Sequence, residues 1–289
     1  MTDTQAPLPW RVRPARETRG FVAPAVRRLA AQLGVDPATL TGTGANGRVT
    51  RADVLTPRAQ TMPFNNVRKR AAPLLVASKR TSPHTLCTVF ADYSAIDEVR
   101  AAERARWREH EGFSLTYLPF VARAVVDALR EFPYVNAHVE GDGLVVHRPV
   151  NLGIAVDLDF QGLVVPVVRA ADGLRLRGLA RAINDVATRA RTKKLSPDDL
   201  AGGTFTITNP GGSGTWRSFP IINQPQVAIV ATDGVSKQVV TDELGALRVA
   251  PMGHLCLTFD HRAFDGAYAA SFLRRVQQIV ETRDWSTEL

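Results

Sequence analysis

A chain of 289 residues, 45% hydrophobic and 22% charged, can bury one sizeable core plus a small module. It carries 36 Lys and Arg against 28 Asp and Glu, a formal net charge of +8, and no apolar run approaches the ~20 residues a membrane span needs. The first thirty residues are rich in arginine and interrupted by Pro7, Pro9, Pro14 and Pro24; they lack the apolar middle of a signal peptide, so a cytoplasmic protein is expected.

The charge is uneven. Residues 1–80 hold 14 Lys and Arg against 4 Asp and Glu, which leaves the other 209 residues slightly acidic. The arm over 1–20 reads as basic and disordered. Nucleic-acid binding would call for an aromatic-studded sheet, a zinc spacing or a recognition helix, and none accompanies it. A docking surface for an acidic protein or an anionic ligand is the better reading.

Residues 21–56 have their own organisation. Pro24 opens a helix, Val26, Leu29, Ala30 and Leu33 make its apolar face, and Gly34 ends it. Asp36 starts a short turn, residues 42–47 form a glycine loop, and Thr50 caps a last helix with Asp53 reaching back. The loop spells G-x-G-x-x-G, yet no strand precedes it and no long helix follows, so it is not a dinucleotide site. Residues 57–62 read as a short linker and 63–289 as the larger, catalytic domain.

Within that domain Leu115 to Phe132 is amphipathic, with Leu118, Val121, Ala122, Val125, Val126 and Leu129 inward. Leu176 to Ala190 is a second such helix, and Gly141-Asp142-Gly143 is a hairpin turn. His254 to Phe259 alternates as a strand, whereas Phe272, Leu273, Val276, Ile279 and Val280 recur at helical spacing. The run Phe259-Asp260-His261-Arg262-Ala263-Phe264-Asp265-Gly266 therefore sits on a strand-to-helix corner. A neutral imidazole there can take a proton from a thiol or hydroxyl; the alternative is an ion-pair cluster of Asp260, Arg262 and Asp265 with His261 capping the turn. Cys87 and Cys256 fit no paired metal spacing and read as reduced core residues. His84, His110, His138, His147 and His254 are scattered, and no metal is expected.

D-H-R-x-x-D-G resembles the active-site signature of the dihydrolipoyl acyltransferase components of 2-oxo acid dehydrogenase complexes, a family similar to chloramphenicol acetyltransferase. Gly203-Thr204-Phe205-Thr206-Ile207-Thr208-Asn209, Pro220 to Ile229, and the paired blocks Asn151 to Val156 and Gly162 to Val168 resemble other family segments in the family's order. Residues 21–56 are similar to its peripheral subunit-binding module. The resemblance implies an α+β, chloramphenicol-acetyltransferase-like mixed sheet with flanking helices, preceded by a small all-α module. It implies acetyl-CoA or another acyl-CoA as cosubstrate, His261 as general base, Thr208 as hydrogen-bond donor to the tetrahedral oxyanion, and Asp265 holding an arginine or the turn that positions His261. Asn209, Asn223 and His84 become substrate-channel candidates, and Arg27, Arg28, Arg48 and Arg51 partner-binding candidates. The assembly implied is a homotrimer or larger, with His261 and Thr208 meeting from neighbouring subunits.

Two segments depart from the family pattern: the glycine-rich run 210–216, read as a flexible loop, and Thr232-Asp233-Gly234, read as an insertion. None of Lys69, Lys79, Lys193, Lys194 or Lys237 sits in a lipoyl-carrying context, so no lipoyl group is expected on this chain. That absence favours an O-acetyltransferase acting on a small-molecule hydroxyl of the tetronate kind, related to natural-product pathways. The alternatives are an acyltransferase core served by a lipoyl domain in trans, or a non-enzymatic partner-binding subunit.

Overall fold

The computed structural model describes residues 22–56, 62–242 and 244–289, in two compact units that divide after Pro63. The arm expected as disordered over 1–20 and residues 57–61 of the expected linker lie outside the described residues.

In the first unit α1 (Pro24–Gln32) begins with Pro24, whose missing N–H costs nothing in the first turn, and α2 (Arg51–Leu55) closes the unit. Val26, Ala30, Val49 and Val54 form its core. Leu33, expected on the apolar face, is instead 51% exposed; it is the C-cap, where the backbone leaves the helix and carries the side chain off the stripe. Asp53 organises the loop between the helices. Its carboxylate accepts from Thr43 N (2.8 Å), Thr43 Oγ1 (2.7 Å) and Thr50 N (2.9 Å), while Thr50 Oγ1 accepts from Asp53 N (3.2 Å). Those donors, the Thr43 backbone N–H first, hold the carboxyl well below the usual carboxylate range. The loop closes so tightly that a Cβ on Gly42 would lie 2.2 Å from the Gly47 carbonyl oxygen, which is why glycine stands there.

The second unit opens with α3 (Asn66–Thr81), which runs through Pro73 and leaves Leu74, Leu75 and Val76 exposed. Then come β1 (His84–Asp92), α4 (Ser94–Glu111), α5 (Leu118–Glu131), the hairpin β2 (Ala137–Glu140) and β3 (Gly143–Val146), and the short strands β4 (Leu152–Ile154), β5 (Val156–Asp157), β6 (Leu163–Val164) and β7 (Val167–Val168). After α6 (Leu176–Arg191) follow β8 (Phe205–Thr208), β9 (Ala228–Thr232), β10 (Ser236–Thr241), β11 (Leu247–Asp260) and α7 (Gly266–Thr282). The main sheet has seven strands in the order β1-β11-β9-β8-β4-β7, with β10 added along the first half of β11. β4, β8 and β9 run parallel, and the other pairings are antiparallel. This is an α+β fold.

Strand alternation divides the sheet into two unlike faces. Phe205, Ile207, Ala228, Val230, Leu255, Leu257 and Phe259 point into the main core, where α7 packs on β1 and β11, α5 on α7, and α6 on α5 and β7. Phe272, Leu273, Val276, Ile279 and Val280 are the buried stripe of α7, as their spacing requires. Thr206, Thr208, Ile229, Ala231, His254, Cys256 and Thr258 lie on the opposite face.

Candidate active site

β11 delivers the motif. Asp260 is its last residue, pairs in register with His84, and donates its N–H to Val227 O at 2.7 Å. Its carboxylate, 1% exposed, accepts from Arg262 Nε (3.0 Å), Arg262 NH2 (2.7 Å) and Arg262 N (2.9 Å). Burial raises its pKa, but the Arg262 and Ser82 hydrogen bonds outweigh burial and lower the net value. His261 follows, anchored through its backbone N–H to Pro83 O at 3.1 Å, with its ring 5.6 Å from Phe259 and exposed.

Asp265 holds no arginine among the described residues. It is the N-cap of α7, with Oδ1 accepting from Tyr268 N at 3.2 Å, and it therefore fixes the far end of the turn. The arginine goes to Asp260 instead. An Asp two residues from an Arg across a tight turn reaches both the guanidinium and the backbone N–H, whereas Asp265 faces the orphan N–H groups of a helix start.

His84, half-buried, has both ring nitrogens engaged. Ile222 N–H donates to Nε2 (3.1 Å), so Nδ1 carries the ring proton and donates to Ser82 O (2.8 Å). Gln224 continues the brace through Nε2 to Ser82 Oγ (2.8 Å), and Ser78 Oγ donates to Ile222 O (2.6 Å). The strap 219–226 is thus tied to the end of α3 and the start of β1, next to Pro83, whose carbonyl accepts from His261 N. Asn223 is exposed and contributes its carbonyl to Gln226 N (3.1 Å). Asn209 is also exposed, and its side chain caps the turn 210–213 by accepting from Gly211 N (3.1 Å).

Thr208 ends β8 on the helix-free face, half-buried. Within one chain it is far from His261. Thr208 pairs with Ala231 of β9, and Ala231 pairs with Cys256 of β11, five residues before His261. At about 3.3 Å per residue and about 4.8 Å per strand the two Cα atoms are about 19 Å apart. One chain therefore does not bring His261 and Thr208 together.

Sequence reasoning missed the braces Ser78, Ser82, Gln224 and Gln226, single polar residues whose roles depend on contacts remote in sequence. In the glycine-rich segment Pro210–Ser213 forms a short 3-10 turn, and buried Asp233 accepts from Thr215 Oγ1 (2.7 Å), Ser218 Oγ (2.8 Å) and Ser218 N (3.1 Å), while Gly234 N donates to Thr215 O (2.8 Å). His138 and His147 stack with ring centroids 5.0 Å apart and share a 3.0 Å nitrogen contact. Among the described residues no group of three or more His, Cys, Asp or Glu is placed to hold a metal, and no helix is long and apolar enough to cross a membrane.

Residues 56–286 match the model of the 2-oxoacid dehydrogenases acyltransferase catalytic domain, and residues 21–55 that of an E3 binding domain. The chain belongs to the 2-oxoacid dehydrogenase acyltransferase family. It is 34% identical, over 92% of its length and 72% of the relative's, to the lipoamide acyltransferase component of the branched-chain alpha-keto acid dehydrogenase complex of Bacillus subtilis. It is 35% identical to the dihydrolipoyllysine-residue acetyltransferase component of the pyruvate dehydrogenase complex of Corynebacterium glutamicum, covering 93% of this chain but 45% of that one. Among solved structures, a probable dihydrolipoamide acetyltransferase from Listeria monocytogenes superposes with a TM-score of 0.74 at 37% identity, over 77% of this chain and 94% of that one. The cubic core of a pyruvate dehydrogenase multienzyme complex gives the same TM-score at 33% identity, over 77% of this chain and 91% of that one. The fold is that of an acyltransferase, and the expectation of a CoA-dependent acyltransferase agrees with the family.

Proposed function

We propose that this protein is the acyltransferase core of a 2-oxo acid dehydrogenase-type assembly, moving an acyl group between a dihydrolipoyl thiol and coenzyme A. The relatives are named for lipoyl acyl transfer, and this favours the thiol over the tetronate-like hydroxyl expected from the missing lipoyl context. A lipoyl arm carried outside these 289 residues fits a sequence whose five lysines lack that context.

The observation that carries the reading is the placement of His261 and Thr208 at separate ends of the sheet, neither near the other. In a symmetric trimer, His261 of one subunit faces Thr208 of its neighbour, and the apolar side chains left exposed on α3 and on β1 (Leu86, Phe90) are surface for that contact. His261 accepts the proton of the attacking thiol, the sulfur adds to the thioester carbonyl, and the oxyanion receives a hydrogen bond from the Thr208 hydroxyl. Collapse breaks the original C–S bond, and the proton held on His261 passes to the departing sulfur. Asp260, Arg262 and Asp265 hold the turn, so the base meets its substrate in one orientation.

The small unit is the docking module. Arg27, Arg28, Arg48 and Arg51 are all exposed on it, and Arg27 and Arg28 flank a groove of about 450 Å³ with Val22, Pro24 and Ala31. That mixture of cation and apolar floor suits an acidic protein partner. The reading is tested by acetyl transfer from acetyl-CoA to free dihydrolipoamide and to a panel of small hydroxyl compounds. Transfer to the thiol that disappears in His261→Ala is expected; a hydroxyl preference, or transfer indifferent to His261, would refute it.

A further inference from the structure

Asp233 is 3% exposed and spends its carboxylate on half-buried Thr215 and Ser218, which flank exposed Trp216 and Arg217. The contact begins earlier in the loop, where a Cβ on Gly211 would lie 2.5 Å from the Asp233 carbonyl carbon. The loop that leaves Thr208 is therefore pinned twice, by backbone packing at Gly211 and by three hydrogen bonds at Thr215 and Ser218. Between the last two stands Trp216, 68% exposed, with its ring 5.7 Å from buried His254, whose other neighbour is Phe90 at 4.5 Å. A tryptophan held rigid at both flanks while two-thirds of it faces solvent is costly to maintain, and it suits a surface kept ready for a ligand.

His254 lies on the same face as Thr208, two residues along β11 from Cys256, the residue level with Thr208. Strand geometry puts its backbone about 12 Å from that of Thr208. Among the described residues, His254 Nδ1 has no hydrogen-bond partner, and burial followed by the Arg217 charge lowers the His254 pKa. The platform beneath Trp216 is thus a buried imidazole packed against Phe90.

We propose that Asp233 is a positioning residue that fixes Trp216 as the wall along which the thiol-bearing arm of the substrate lies on its way to Thr208. The arm is slender and mostly apolar, either the pantetheine of coenzyme A or a lipoyl chain, and a fixed indole face accepts either by dispersion and area burial. This rests on the acyl-transfer reading of the site. Asp233 touches no substrate; it acts through Trp216.

The test measures steady-state transfer and equilibrium binding of acetyl-CoA and of dihydrolipoamide on the full chain for Trp216→Ala, Asp233→Asn, Thr215→Val and Thr215→Ser. Expected is a KM raised about tenfold in the first three with kcat within about threefold, because uniform binding is what they remove, and wild-type behaviour in Thr215→Ser, which keeps the hydroxyl. Comparing KM for acetyl-CoA with KM for dihydrolipoamide tells which arm lies on the wall. A KM unchanged for both substrates in Trp216→Ala, or a fall in kcat alone, would overturn the proposal, as would equal damage from Thr215→Ser and Thr215→Val. If the wild-type protein transfers nothing, the acyl-transfer reading fails by itself. Equilibrium binding of acetyl-CoA and of dihydrolipoamide then still decides this one: weakening for either ligand in Trp216→Ala and Asp233→Asn supports the wall, and unchanged affinity for both ligands in all four variants removes it.

Discussion

Replacing Asp260 by Asn separates the charge at the corner from its shape. The substitution preserves volume and leaves an amide oxygen able to accept from Arg262 N, but removes the ion pair in which Arg262 Nε and NH2 reach the carboxylate at 3.0 and 2.7 Å. Hydrogen bonds to charged groups contribute about 1.5 to 3 kcal/mol each. The Arg262 side chain is 42% exposed and regains water when released, so the net loss is put at the lower end, about 1 to 2 kcal/mol in urea-monitored unfolding. The catalytic loss should be larger than stability suggests, because His261 is bonded in sequence to both partners. A tenfold to hundredfold fall in kcat/KM, about 1.4 to 2.7 kcal/mol of barrier, is expected for dihydrolipoamide acetylation. The folded Asp260 pKa is depressed, so its stabilisation is present above the ordinary carboxylate range and fades as pH falls below about 4. In the Asp260→Asn variant that part of the acid limb should vanish. Full activity with the destabilisation intact would show that the pair only braces the fold.

Further expectations concern the small unit, the core and the loop. Asp53 also has a depressed pKa, so stability of the small unit should be flat at neutral pH and lost in acid below about pH 4, a loss followed by backbone amide signals of residues 42–53; a unit unchanged at pH 2 to 3 would contradict the network. Phe272→Ala empties a fully buried site facing Phe132 and Phe205 and should cost about 3 to 5 kcal/mol in chemical denaturation, with Phe272→Leu much milder. Gly211→Ala drives a methyl group into the Asp233 backbone and should expose the 210–218 loop to proteolysis while far-UV circular dichroism stays unchanged.

The elements easiest to read were those whose burial is periodic. The α7 stripe from Phe272 to Val280 emerges at its spacing, whereas α5, expected to be amphipathic, is buried on every side from Pro119 to Val126 because it lies between α6 and α7; Thr50 with Asp53 forms the capping box that a threonine followed by an acid three residues later implies. α3 was not legible, because Pro73 interrupts the pattern and its apolar residues face outward. Likewise the corner at 260–265 announced itself through charge density, but its wiring did not. Which carboxylate takes Arg262 is decided by Asp265 meeting the first N–H groups of α7, a fact of three-dimensional placement. The Asp233 clamp was invisible for the same reason: residues 211 to 218 and 233 meet only because β8 and β9 are neighbours.

The shared site is the central claim, and mixing two inactive proteins tests it most directly. His261→Ala and Thr208→Ala chains, unfolded together in equal amounts and refolded, should regain about a quarter of wild-type transfer activity in random trimers, since one site in four pairs an intact His261 with an intact Thr208. Activity no higher than the average of the two variants refolded separately would mean that each chain builds its own site, and the account would be wrong.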